Sequence, residues 1–147
     1  MVRRVLLIVL VVVLVGGSAS AQCKATPGAV LDGSYRPVAP KRASVGAGFV
    51  LTGTVRASSD CLPVPRATVE FWLSGPGGYT EKLRGTVVAD GNGRYRLECP
   101  FPVSHGGPPP HIHMNVAEDA FLPIQTEFFP TPGSASGQFD IVLQPAD

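Results

Sequence analysis

Apolar and polar residues alternate in short runs along much of this chain. In Phe49-Val50-Leu51-Thr52-Gly53-Thr54-Val55, and again over residues 67–73, apolar side chains fall on every second position. That is the period of a strand with one buried face, and in the second run it puts Val69, Phe71 and Leu73 on the same side. The same reading predicts strands over residues 84–89, 94–98, 112–116, 122–128 and 139–143. Turn signals separate them. Gly75-Pro76-Gly77-Gly78 reads as a loop, and Asp90-Gly91-Asn92-Gly93 as a tight turn joining the two arms of a hairpin. Residues 100–110, with five prolines, form a long loop. No segment carries the helix period, so the expectation is one all-β domain, a β-sandwich.

The two ends of the pattern differ. Arg3 and Arg4 precede an unbroken apolar run of 11 residues from Val5 to Val15, then Gly16-Gly17-Ser18 and Ala19-Ser20-Ala21. The run is shorter than the ~20 residues a membrane span requires, and the small residues after it form an A-x-A cleavage site. Residues 1–21 are therefore expected to be a signal peptide cut after Ala21, giving a secreted or periplasmic protein with no membrane attachment. Residues 22–47, rich in Pro, Ala and Gly without periodicity, read as an irregular arm. Residues 48–147 read as the sandwich domain.

Composition narrows the function classes. The chain holds 17 Gly and 15 Pro in 147 residues, nearly twice the usual share, as turns and loops require. Its net charge is +1. Cleavage of the leader removes two arginines and leaves one net negative charge. No basic run remains, which excludes electrostatic nucleic-acid binding. Gly75-Pro76-Gly77-Gly78 lacks the lysine and following helix of a phosphate-binding loop. Export places Cys23, Cys61 and Cys99 in an oxidising compartment, where three thiols allow one bridge and leave one over. Cys61 and Cys99 flank strand-like segments and are the favoured pair. No C-x-x-C spacing points to redox chemistry or a zinc knuckle.

The candidate chemistry sits at His111-Ile112-His113. Two residues apart on a strand, both imidazoles project from one face, roughly 6–7 Å apart at Cα, which suits two ligands of one metal ion. The third histidine, His105, lies six residues upstream on the proline-stiffened loop. The plainer reading is a pair of surface histidines on a strand.

A set of ordered motifs then carries a resemblance. Gly53-Thr54-Val55, the run from Cys61-Leu62-Pro63-Val64-Pro65-Arg66 to Val69-Glu70-Phe71-Trp72, Gly78-Tyr79, Arg84-Gly85, Asp90-Gly91-Asn92-Gly93-Arg94-Tyr95 and Pro109-Pro110-His111-Ile112-His113 occur in this order. Together they resemble the intradiol ring-cleavage dioxygenases, and most of all their short, single-domain, often exported members, over about residues 48–143. The resemblance implies a β-sandwich of the intradiol dioxygenase core type. It also implies a non-haem Fe(III) held by two tyrosines and two histidines, with a catechol-type aromatic and O2 as the partners. Phenolates are hard anionic donors suited to a ferric ion, which deprotonates a group of ordinary pKa near 10. By this resemblance His111 and His113 are the histidine pair and Tyr79 the first tyrosine. Thr126-Glu127-Phe128-Phe129-Pro130 stands where the family has a Thr-Gln-x-Tyr type segment.

Two positions depart from the pattern. The second tyrosine, six residues before the first histidine, is His105 here, and the arginine three before that histidine is Pro108. In the family that tyrosine leaves the metal when substrate binds and takes its proton, and the arginine holds the reacting ring. A ligand set of Tyr79, His105, His111 and His113 has one anionic donor fewer, which moves the preference from Fe(III) toward copper, iron or zinc in the divalent state. Otherwise His105 is a loop residue facing water. Three functions therefore compete. One is an exported intradiol-type dioxygenase. A second is a metal-binding sandwich of the same family without ring cleavage, and a third is a metal-free partner-binding sandwich of transthyretin-like shape. Around the site, Trp72 reads as a packing or rim residue and Tyr95 as inward packing. Arg84 reads as a solvated strand arginine that can face a substrate carboxylate, and Glu127 as a neighbour of the metal ligands or an exposed side chain.

Overall fold

The computed structural model describes residues 22–29 and 33–147, so the expected leader lies outside the described residues. Eight strands appear among them and no helix: β1 (Phe49–Ala57), β2 (Thr68–Gly75), β3 (Gly78–Val88), β4 (Arg94–Cys99), β5 (Ile112–Ala117), β6 (Ile124–Phe128), β7 (Ser136–Gln138) and β8 (Ile141–Leu143). They form two four-stranded sheets, an all-β sandwich. In the first, β4 pairs antiparallel with β1, whose other edge takes β7 and then β8 in parallel. In the second the order is β3-β2-β5-β6, antiparallel throughout.

Alternation builds the core between them. Phe49, Leu51 and Val55 of β1, Leu97 of β4, Val69, Phe71 and Leu73 of β2, and Ile112, Met114 and Val116 of β5 are all buried. Each fully buried side chain of this size contributes roughly 1.5–3 kcal/mol relative to exposure. Tyr95 packs inward as its alternation predicts, and its hydroxyl donates to the Phe139 carbonyl at 2.6 Å. The second sheet departs from simple alternation, because the outward residues Glu70, Trp72 and Ser74 of β2 are buried as well. Part of the irregular arm covers that face. The arm bridges Lys41 to Thr86 and Ser44 to Glu98.

Four expectations change. The Asp90–Gly93 turn closes as predicted, with Asp90 accepting from the Asn92 and Arg94 amides and Gly93 at φ 71°. It does not join a hairpin, however: β3 pairs with β2 and β4 with β1, so the turn carries the chain from one sheet to the other. The strand expected over residues 139–143 shortens to β8 (141–143), and an unexpected short strand, β7 (136–138), precedes it. Strand β3 begins at Gly78, not Arg84, so Tyr79 stands on a strand and not in a loop. Finally, the disulfide joins Cys23 to Cys61, with Cα atoms 5.2 Å apart, and Cys99 is a buried free thiol. The register explains this last correction. Cys99 lies opposite Phe49, at one end of β1, while Cys61 follows the other end, eight residue steps or about 26 Å away.

Candidate metal centre

The site is a product of register on the outer face of the second sheet. Arg84 of β3 lies opposite Trp72 of β2, Trp72 opposite His113 of β5, and His113 opposite Glu127 of β6. These four residues form one row across the sheet, in which Trp72 stacks on His113 and His113 meets Glu127. Arg84 is buried, against the expectation of a solvated arginine. Its Nη2 donates to the Ser34 carbonyl at 2.7 Å, and its Nε lies 3.3 Å from the Glu81 carboxylate.

Tyr79 reaches the row through an irregularity. On a regular β3, Tyr79 is an odd number of residues from Arg84 and would point inward. The register breaks between Trp72 and Ser74, pairing Ser74 with Tyr79, so that two steps on β2 answer five on β3. The odd excess reverses the parity of the strand and turns Tyr79 outward. Its hydroxyl lies 2.9 Å from His113 Nε2.

The histidine tautomers follow from what their other nitrogens meet. His111 Nδ1 is 2.7 Å from the Pro109 carbonyl, which can only accept, so Nδ1 carries the proton. His113 Nδ1 faces a Glu127 carboxylate oxygen at 3.3 Å, with the same consequence. In both neutral rings Nε2 is then left with a lone pair. Those two Nε2 atoms are 2.9 Å apart, and both rings are buried. Two lone pairs converging at that distance repel unless a proton or a cation lies between them. Two nitrogens each 2.0–2.1 Å from one ion at a right angle are about 2.9 Å apart, so the donor set fits a metal ion. Phenol oxygen, two imidazoles and a carboxylate form a borderline-to-hard set suited to iron, copper or zinc.

His111, His113 and Glu127 offer ligand atoms within 4.8 Å of one another. His105 stands outside that group, exposed on the loop, with its ring edge-on to Tyr79 at a centroid distance of 5.7 Å. A cleft of about 630 Å³ opens over the centre, with Tyr79, His105, His111 and Glu127 on its lining together with Arg36 and Arg84. Pro108, in the place where the family pattern has arginine, also lines it.

Sequence reasoning did not find Ser34 and Tyr35. They lie in the aperiodic arm, and only the fold carries them to Trp72. Ser34 Oγ accepts the indole N–H at 2.7 Å, and the Tyr35 ring packs on Trp72 at 5.2 Å. The Tyr35 hydroxyl donates to Glu70 at 2.7 Å, and burial together with that carboxylate pushes its pKa up to about 12.

No family model matches the chain. Over 108 residues it is 29% identical to a chlorocatechol 1,2-dioxygenase of Pseudomonas sp. (strain P51), and 27% identical to one of Pseudomonas putida. Each alignment takes in 55% of this chain but only 43% and 41% of those relatives. Among solved structures, the dioxygenase domain of a carbohydrate-binding fusion protein from Streptomyces sp. SirexAA-E superposes with a TM-score of 0.72 at 19% identity. That match covers 84% of this chain and the whole of that one. Hydroxyquinol 1,2-dioxygenase from Pseudomonas putida DLL-E4 gives a TM-score of 0.73 at 16% identity, over 83% of this chain and 67% of that one. Both share the sandwich described above. In sequence the chain is similar to chlorocatechol 1,2-dioxygenases, and in fold to solved dioxygenase structures.

Proposed function

We propose that this chain is an exported intradiol-type dioxygenase that opens a catechol-type aromatic ring with O2 at a non-haem iron(III) centre. The ligand set is Tyr79, His111 and His113, and His105 stands outside it on the cleft lining. The observation that supports this reading best is the convergence of Tyr79 Oη and His111 Nε2 on His113 Nε2, each at 2.9 Å, beside a cleft of about 630 Å³ that Tyr79 and His111 line. The Cys23–Cys61 disulfide supports export to an oxidising compartment.

Iron(III) held there supplies binding for both substrate oxygens and the redox chemistry that joins O2 to the ring. In the overall reaction the bond between the two hydroxyl-bearing carbons breaks, both atoms of O2 enter the product, and two carboxylic acids result without an external reductant. The protein's part is arrangement. The Pro109 carbonyl and the Glu127 carboxylate hold the proton of each imidazole on Nδ1, so both Nε2 lone pairs face the centre. Arg36 and Arg84 place positive charge on the cleft and favour the ionised form of an aromatic diol. His105, on the cleft lining, is the base that takes the substrate's proton.

The second reading, a metal-binding sandwich without ring cleavage, is favoured by His105 and Pro108 standing in place of tyrosine and arginine. Metal content and the visible spectrum of the exported protein decide between them. Stoichiometric iron, with a tyrosinate-to-iron band that shifts when catechol is added and disappears in Tyr79→Phe, is the expected result. Copper or zinc with no response to catechol favours the second reading. A protein that takes up no metal overturns both.

A further inference from the structure

The outer face of β2 is covered by the arm through a connected set of contacts that ends on His113. Glu70, only 9% exposed, accepts from the Val38 amide at 3.0 Å, from Asn115 Nδ2 at 3.0 Å and from the Tyr35 hydroxyl. This fixes residues 35–38 over the sheet. The preceding residue, Ser34, is held at both ends: its carbonyl accepts from Arg84, and its Oγ accepts the Trp72 indole N–H. The indole lies flat against the His113 imidazole, with centroids 5.1 Å apart and planes 6° from parallel. Trp72 is thus clamped between the Tyr35 ring and the His113 ring. The His113 ring can tilt toward the indole only if the indole moves and gives up its hydrogen bond to Ser34.

We propose that residues 33–36 of the arm are part of the metal centre, and that Ser34 and Trp72 are positioning residues that fix the plane of the His113 ring. The inference rests on the reading of His113 as a metal ligand. Glu127 sets which His113 nitrogen carries the proton, and the Ser34–Trp72 pair sets where the other nitrogen points. A metal ligand whose ring is free to turn must be ordered when the ion binds, and outer contacts of this kind commonly alter metal affinity 10–100-fold. The arm's attachment to Glu70 is therefore coupled to the quality of the site. A sheet-borne pair of histidines alone would not need an arm at all.

The chain has one tryptophan, so Trp72 emission reports directly on this contact. Cobalt(II) titrations of the full exported protein, its Ser34→Ala and Ser34→Thr variants and Trp72→Phe, all read by the visible absorption of bound cobalt(II), test the proposal. Cobalt(II) is expected to quench Trp72 emission in the native protein. Ser34→Ala is expected to bind cobalt(II) about 10-fold more weakly with an unchanged melting temperature, and Ser34→Thr, which keeps the hydroxyl, to restore native affinity. Trp72→Phe, which keeps a flat ring but loses the N–H, should be weakened like Ser34→Ala. Native cobalt(II) affinity in both Ser34→Ala and Trp72→Phe overturns the proposal. If the native protein binds no cobalt(II), the metal-centre reading fails separately, and the ring contact is decided by the side-chain nitrogen resonances of His113 in the metal-free protein. A shift of those resonances in Ser34→Ala upholds the positioning role, and unmoved resonances overturn it.

Discussion

Glu127 and Cys99 show how much a single residue's surroundings decide. Glu127 has a quarter of its side chain exposed and lies 3.3 Å from His113 Nδ1 and 3.9 Å from His111 Nε2, so its carboxylate favours the tautomer that presents His113 Nε2 to a metal ion. Glu127→Leu is expected to weaken metal binding about 10-fold, measured by titration with a chelator, while Glu127→Gln loses less because its amide oxygen can still accept. Cys99 is surrounded by apolar side chains, and burial first, then the nearby Glu98 carboxylate, pushes its thiol up to about 12. At pH 8 the thiolate is scarce and the sulfur inaccessible. A thiol reagent should therefore label no cysteine rapidly in the native protein, one after unfolding, and three after unfolding with reduction. Of the residues singled out from the sequence, Tyr79, His111 and His113 come together, while His105 stands apart on the loop. The place of Arg84 was not legible, because burial of an arginine depends on what covers it, and its cover is a segment 50 residues away.

At the scale of elements, two irregularities shape the molecule. The register break between β2 and β3 turns Tyr79 toward His113. The other is at β1, where β7 and β8 share one edge and the chain crosses Gly53 between them. A Cβ on Gly53 would collide with the Phe139 carbonyl and the Tyr95 ring, and that carbonyl is also the acceptor for the Tyr95 hydroxyl. Asp140 then accepts from the Thr54 amide at 2.9 Å, satisfying a backbone donor that the gap between the two strands leaves without a ladder partner. Gly53→Ala is expected to cost about 3 kcal/mol through displacement of this crossing, read as a lower melting temperature and a lower denaturant midpoint. The alternating pattern located β1, β2, β4 and β5 closely, since each is long enough to repeat its period. It missed the start of β3, where Thr80, Glu81 and Lys82 carry no apolar alternation, and it missed β7, because a three-residue strand is too short to show a period.

For the whole molecule, the disulfide and the arm act together. Cys23 joins Cys61 across 38 residues, closing a loop that contains the arm and all of β1. In the chain-entropy picture a loop of that length is worth about 4 kcal/mol, so a Cys23→Ser, Cys61→Ser double variant should unfold at markedly lower denaturant. If the arm braces His113, the same variant should also bind metal more weakly. The sequence by itself determined the class of the fold and the strand that carries His113, because a period of two is a local property. Only the tertiary structure decided the pairing of the cysteines, the parity that turns Tyr79 outward, the burial of Arg84 and the position of the arm against Trp72. Each of these depends on which distant segments meet, and the energy that decides it comes from burial and cross-sheet contact, which no local pattern records.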